Sequence, residues 1–151
     1  MLNPLTHSRE LFVRFDVPGK PVAKQRARMN MKTGNVFTPV KTINYEGLVA
    51  LAAQDALLGA PPALGALEVH IDVRMPIPES WPKRRRQQAL QGIVRPTGKP
   101  DLDNIAKILD GLNNVVWIDD SRIVDLSLSK HYSDRPGLTI YVYQLPENPF
   151  D

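Results

Sequence analysis

Leu67-Glu68-Val69-His70-Ile71-Asp72-Val73-Arg74-Met75 is the stretch that decides the fold class. Leu67, Val69, Ile71 and Val73 alternate with Glu68, His70, Asp72 and Arg74, which is the two-residue period of a strand with one buried face. His70 falls on the polar side, where solvent exposure is its expected state.

Outward from this strand, Glu10 to Val17 reads as a strand and Val40 to Leu58 as a helix that Gly59-Ala60-Pro61-Pro62 ends. Downstream, Trp81-Pro82 opens a short basic helix, because proline suits a first helical turn and good helix formers follow it. Leu102, Ile105, Ala106, Leu109 and Leu112 recur at the three- and four-residue spacing of a buried helical stripe, with Asp103, Lys107 and Asp110 on another face. Gly111 and Asn113-Asn114 close that helix.

Ile123 to His131 and Leu138 to Leu145 read as strands joined through Ser133-Asp134-Arg135-Pro136-Gly137. The order is β-α-β-α-α-β-β. The last two strands should pair antiparallel across their short turn, and the helical crossovers before them permit parallel pairing. The fold class expected is therefore α+β, a mixed sheet with helices packed on it.

A chain of 151 residues suits one domain, residues 1–151, with a loose tail at 146–151. It has no internal repeat. The N-terminus lacks a charged segment followed by an apolar core, and the apolar stretch from Leu48 to Leu67 is broken by Gln54, Asp55 and Pro61-Pro62. Neither secretion nor membrane spanning is expected. The absence of cysteine fits a reducing, cytoplasmic setting.

Charge is segregated along the chain. Residues 1–99 carry 15 Lys/Arg against 7 Asp/Glu, a net of +8, and residues 100–151 carry 4 against 9, a net of −5, which together give the overall +3. Such a division points to a basic surface beside an acidic pocket, with nucleic acid as the natural partner.

Lys20, Lys24, Arg26, Arg28 and Lys32 lie in a Gly/Pro/polar loop, 19–38, that lacks a sustained hydrophobic period. Within it, the segment from Met29 to Thr38 reads as a flexible hairpin. Arg84, Arg85 and Arg86 form a second basic run, and Lys99 a further cation. These side chains could follow a phosphate backbone, each neutralised phosphate adding about 0.9 to the slope of log affinity against log salt. Neither run interleaves aromatic residues for base stacking, so base-specific readout is not indicated.

The acidic pocket is read from Lys99-Pro100-Asp101-Leu102-Asp103-Asn104-Ile105-Ala106-Lys107 and from Trp117-Ile118-Asp119-Asp120. Residues two apart on an α-helix point about 200° from each other, so Asp101 and Asp103 cannot share a ligand from inside one. They can if Asp101 ends an extended segment and Asp103 caps the helix, a boundary that Pro100 favours. Lys107 then stands one turn above Asp103.

Aspartates of this kind suit a hard divalent cation, which takes oxygen ligands. His7, His70 and His131 show no ligand spacing, so a zinc site has no support. The same residues also read as an ordinary helix cap with an Asp103–Lys107 ion pair. Gly92 to Lys99 is not a phosphate-binding P-loop, having five residues between its glycines and Pro100 where Ser or Thr is required.

The K-P-D-L-D-N-x-x-K string of Lys99 to Lys107, the W-x-D-D of Trp117 to Asp120 and the G-K-P-V-x-K-x-R-x-R opening of Gly19 to Arg28 resemble the RusA family of Holliday junction resolvases, common in prophages. The likeness runs from about residue 10 to residue 145. It implies that Asp101, Asp103 and Asp120 hold Mg²⁺, with Mn²⁺ as a substitute, and that Lys107 assists the chemistry. Asp119 is the alternative to Asp120. The Arg84-Arg85-Arg86 cluster departs from the family pattern, lying well upstream of Asp101.

The function implied is metal-dependent paired cleavage of four-way DNA junctions in recombination and repair. A near-twofold junction cut on two strands calls for a C₂ homodimer. The alternatives are a non-catalytic branched-DNA binder, which the intact acidic set and Lys107 argue against, and a small-molecule phosphohydrolase, which leaves the +8 of residues 1–99 unexplained.

Overall fold

The computed structural model describes residues 8–24, 28–37 and 40–147, the side chains of residues 41–43 apart. Arg26 and most of the expected tail at 146–151 lie outside the described residues.

Strand β1 spans Glu10–Pro18. A ribbon follows, β2 at Arg28–Met29 against β3 at Val36–Phe37, where the hairpin was expected. The Asn30 side chain turns it by accepting the N–H groups of Lys32 (2.9 Å) and Thr33 (3.3 Å), and Gly34 takes the left-handed backbone (φ 74°).

Helix α1 covers Val40–Leu57 and buries Tyr45, Val49 and Ala53 at helical spacing. Leu58 and Gly59 take left-handed φ values of 52° and 84°, and Pro61-Pro62 prevents further helix. Strand β4 spans Leu67–Pro76 with strict alternation of buried and half-buried positions. Helix α2 covers Lys83–Leu90, with Pro82 at its cap. Helix α3 covers Leu102–Ala106, and strands β5 and β6 cover Ile123–Ser133 and Gly137–Gln144.

Among the described residues these strands form a four-stranded sheet in the order β1-β6-β4-β5. β6 runs antiparallel to both β1 and β4, and β4 runs parallel to β5. The α+β class and the mixed sheet are as expected. The antiparallel pairing of the last two strands is not: β4 lies between them.

Two features explain the insertion. Ser133 and Gly137 are close enough in sequence for the chain to step around the end of β4, where Pro76 faces Ser133. Gly137 then enters a gap that admits no side chain, since a Cβ there would meet the Val17 carbonyl oxygen at 2.7 Å and the Arg74 guanidinium at 2.9 Å. Arg74 fastens the step by donating to the Arg135 carbonyl (3.0 Å) and to Thr139 Oγ1 (2.6 Å), and the Thr139 hydroxyl donates to Asp16 (2.6 Å). Contacts this remote in sequence leave no local signature.

One sheet face is the core. Val69, Ile71 and Val73 of β4 join Phe15 and Val17 of β1 and Leu138, Ile140 and Val142 of β6, beneath α1 and the segment from Ile105 to Trp117. Each fully buried side chain of this kind contributes about 1.5–3 kcal/mol. The other face is polar, and His70 is not simply solvated there: its Nε2 lies 3.1 Å from Glu68, and its ring meets Tyr143 edge-on.

Candidate active site

The expected helix over 102–112 forms as two pieces, α3 and then a 3₁₀ helix at Lys107–Leu112. Its apolar stripe still buries Ile105, Ile108, Leu109 and Leu112. The boundary lies two residues earlier than expected: Asp101, in extended conformation (φ −73°, ψ 145°), is the N-cap, and Asp103 sits in the first turn. The Lys99–Pro100 peptide before it is cis.

Lys130 holds this turn, donating from Nζ to the carbonyls of Gly98 (2.7 Å) and Pro100 (2.9 Å). Sequence reading missed it. The signal was present, because Lys130 follows Leu126 and Leu128 in alternation and pairs with Val73, where the core face calls for an apolar residue.

Asp101 and Asp103 line a cavity of about 630 Å³ together with Lys20, Lys24, Arg28, Lys99 and Lys107. Lys107 donates to Asn104 Oδ1 at 3.0 Å, and among the described residues it makes no ion pair with Asp103. The cavity thus holds an ammonium and two carboxylates that make no ion pair with it among the described residues. Lys24 is engaged by protein anions, at 3.4 Å from Asp110 and 3.6 Å from Glu46. Lys32 is exposed at the turn of the ribbon.

Arg84, Arg85 and Arg86 sit apart on α2, whose preceding Trp81 meets Tyr132 of β5 edge-on. Arg85 covers the Trp81 ring at 4.0 Å, and Arg86 donates to the Glu79 carbonyl at 3.2 Å. Two of the three guanidinium groups are thus occupied by the protein itself.

Asp119 and Asp120 follow from the buried Trp117, whose indole N–H donates to Asn113 Oδ1 (2.8 Å). Asp119 caps a short 3₁₀ turn at Asp120–Arg122, accepting from the Ser121 N–H (3.2 Å) and from Asn113 Nδ2 (3.4 Å). Hydrogen bonding by Ser121, from its side chain first and then its backbone N–H, holds the Asp119 carboxyl below the usual range. Both of its oxygens have structural work.

Asp120 instead lines a neighbouring cavity of about 260 Å³ with Ala106, Leu109, Ile123, Leu126 and Asp125. A hydrogen bond with Asp110, reinforced by burial and by the charges of Asp110 and Asp119, pushes its carboxyl up from the usual range. Asp110 was legible only as a polar position on the face of Asp103 and Lys107.

The donor chemistry fits a hard divalent cation, being all carboxylate oxygen. Asp101 and Asp103 share one cavity, and the Asp110–Asp120 pair is an arrangement that positive charge would relieve. Among the described residues, no three His, Cys, Asp or Glu side chains are gathered into a ready metal cluster. The structure therefore brings Asp101, Asp103 and Lys107 together, with Asp120 around the same helical segment in the adjoining cavity.

Comparison with known proteins bears on this arrangement. The family model of endodeoxyribonuclease RusA matches residues 18–143. The uncharacterized protein YqaN of Bacillus subtilis (strain 168) is 34% identical over 140 residues, covering 88% of this chain and 96% of the relative. Among the described residues, no helix is long and apolar enough to cross a membrane.

Proposed function

The chain belongs to the RusA endodeoxyribonuclease family, which resolves Holliday junctions, and from that premise we propose that its cleavage centre is the cavity of Asp101, Asp103 and Lys107, completed by Asp120. The observation that carries this reading is the setting of the aspartate pair: Lys20, Arg28 and Lys99 frame the same cavity. A phosphodiester drawn to those cations arrives at the carboxylates.

Asp101, Asp103 and Asp120 would hold Mg²⁺, with Mn²⁺ as a substitute. When bound, the cation supplies an activated water and neutralises charge on the phosphoryl oxygens. Asp120 suits the set better than Asp119, whose oxygens are committed to Ser121 and Asn113. Lys20, Arg28, Lys99 and, from the ribbon, Lys32 seat the backbone by charge, with Arg84 as an outlying contact.

Lys107, steadied by Asn104, places a compact positive charge where the phosphate gains negative charge as the bond to the leaving oxygen breaks. Two such centres in a C₂ homodimer would cut the two strands of a junction, in the cytosol where cysteine-free chains are at home.

The test is cleavage of a fixed four-way junction beside a linear duplex, with Mg²⁺ and with chelator. Paired, metal-dependent cuts in the junction are expected. Binding without nicking in any divalent cation would overturn the catalytic reading in favour of a branched-DNA binder.

A further inference from the structure

Lys24 differs from the other cations of its cavity. Its Nζ lies 3.4 Å from Asp110 Oδ2 and 3.6 Å from Glu46 Oε1, while its backbone N–H donates to the Asn104 carbonyl at 3.3 Å. Lys20, Arg28 and Lys99 make no ion pair among the described residues. The segment that carries Lys24 is itself seated, with Val22 and Ala23 packed against the core.

Glu46 gives the contact its weight. Its Oε1 is buried and has no hydrogen-bond partner among the described residues. Its side chain lies against Gly111 of the 3₁₀ helix, where a Cβ would come within 3.5 Å of the Glu46 Cβ. Lys24 is the positive charge facing that oxygen. Moving the ammonium to a DNA phosphate would leave a half-buried carboxylate, its Oε1 fully enclosed, without a compensating charge, which is the costly way to break such a pair. Asp110, its other anion, belongs to the 3₁₀ helix at Lys107–Leu112, directly after the α3 turn that carries Asp103.

We propose that Lys24 is a positioning residue, tying the basic loop to Glu46 of α1 and to Asp110 of the 3₁₀ helix that follows α3, and that it is not a phosphate contact. This deepens the proposed function and rests on it for the rate effect alone. The division of labour is then plain: Lys20, Arg28 and Lys99 meet DNA, while Lys24 fixes the loop that presents Lys20 and Arg28 to the carboxylates.

The test compares Lys24→Met, Lys24→Arg and Lys20→Ala on a four-way junction. Lys20→Ala should lower the slope of log affinity against log salt by about 0.9. Lys24→Met should leave that slope unmoved and lower the single-turnover cleavage rate at saturating junction by about tenfold, with much of the rate restored in Lys24→Arg. A slope drop in Lys24→Met equal to that of Lys20→Ala, with the saturated rate unchanged, overturns the proposal.

Urea unfolding of Lys24→Met, Glu46→Gln and the double variant supplies a readout independent of cleavage. Coupling between the two positions is expected, and strict additivity overturns the proposal. If the wild-type chain bound junctions without cutting them, the proposed function would fail, while the salt slopes and this cycle would still decide the role of Lys24.

Discussion

The cavity that holds Asp101 and Asp103 is framed by ammonium and guanidinium groups, whereas the adjoining one sets Asp120 among Ala106, Leu109, Ile123 and Leu126, where Asp110 and burial push its carboxyl up from the usual range. Lys107 opens onto the first, and its sequence neighbour Ala106 onto the second. One helical segment thus lies between a side whose cations attract a polyanion and a side where facing carboxyls favour positive charge. Phosphodiester cleavage needs both, since the substrate must be drawn in and its growing charge then offset.

Replacing a carboxylate on the cationic side should have the largest effect. Asp101→Asn keeps the size and position of the cap but removes a charged oxygen donor. Metal-dependent cleavage should fall on the order of a hundredfold to a thousandfold, the range seen when one charge-stabilising group leaves an active site. Junction binding should hold or tighten, because a negative charge near phosphate has gone. Gel-shift and cleavage assays on one preparation check both, and a variant that cuts at the wild-type rate would break the contrast between the two cavities.

Lys107→Ala should cost less, about 10- to 100-fold in single-turnover rate, with junction affinity nearly unchanged. An unchanged rate would remove Lys107 from the chemistry and return it to a surface role beside Asn104. Lys130→Met tests the turn behind Asp101. It deletes the donor to the Gly98 and Pro100 carbonyls, so cleavage should drop by about threefold to tenfold at saturating DNA, a modest version of the losses that misplacement brings. A fall in affinity alone would mean that Lys130 contacts DNA instead of shaping the turn.

Much of this was legible in the chain. The alternation of Leu67 to Met75 specifies β4 because a half-buried strand has no other periodicity, and Pro100 marks an extended segment that ends at Asp101, although the cap falls on Asp101 itself and not on Asp103. What escaped depends on partners distant in sequence. β6 enters between β1 and β4 through the gap at Gly137, which no local pattern marks. Lys24 reads as one more phosphate-binding cation until Glu46 and Asp110 are seen beside it. Asp110 lies on the right helical face but has no reason to matter until the chain returns with Asp120.

The smallest effect tests the carboxyl side, through pH. Hydrogen bonding to Asp110 comes first among the causes that raise the Asp120 carboxyl, followed by burial and then the charges of Asp110 and Asp119. In the window between the ordinary aspartate range and that raised value, the folded chain holds a proton which the unfolded chain has released. The unfolded state therefore binds fewer protons, and stability falls as pH rises through the window. Asp110→Asn removes the leading cause and leaves burial and Asp119, so in chelator the pH dependence of urea unfolding should flatten there without a change of sign. An identical slope in wild type and variant would mean that Asp110 does not raise the Asp120 carboxyl, and the contrast between the two cavities would then rest on the cations alone.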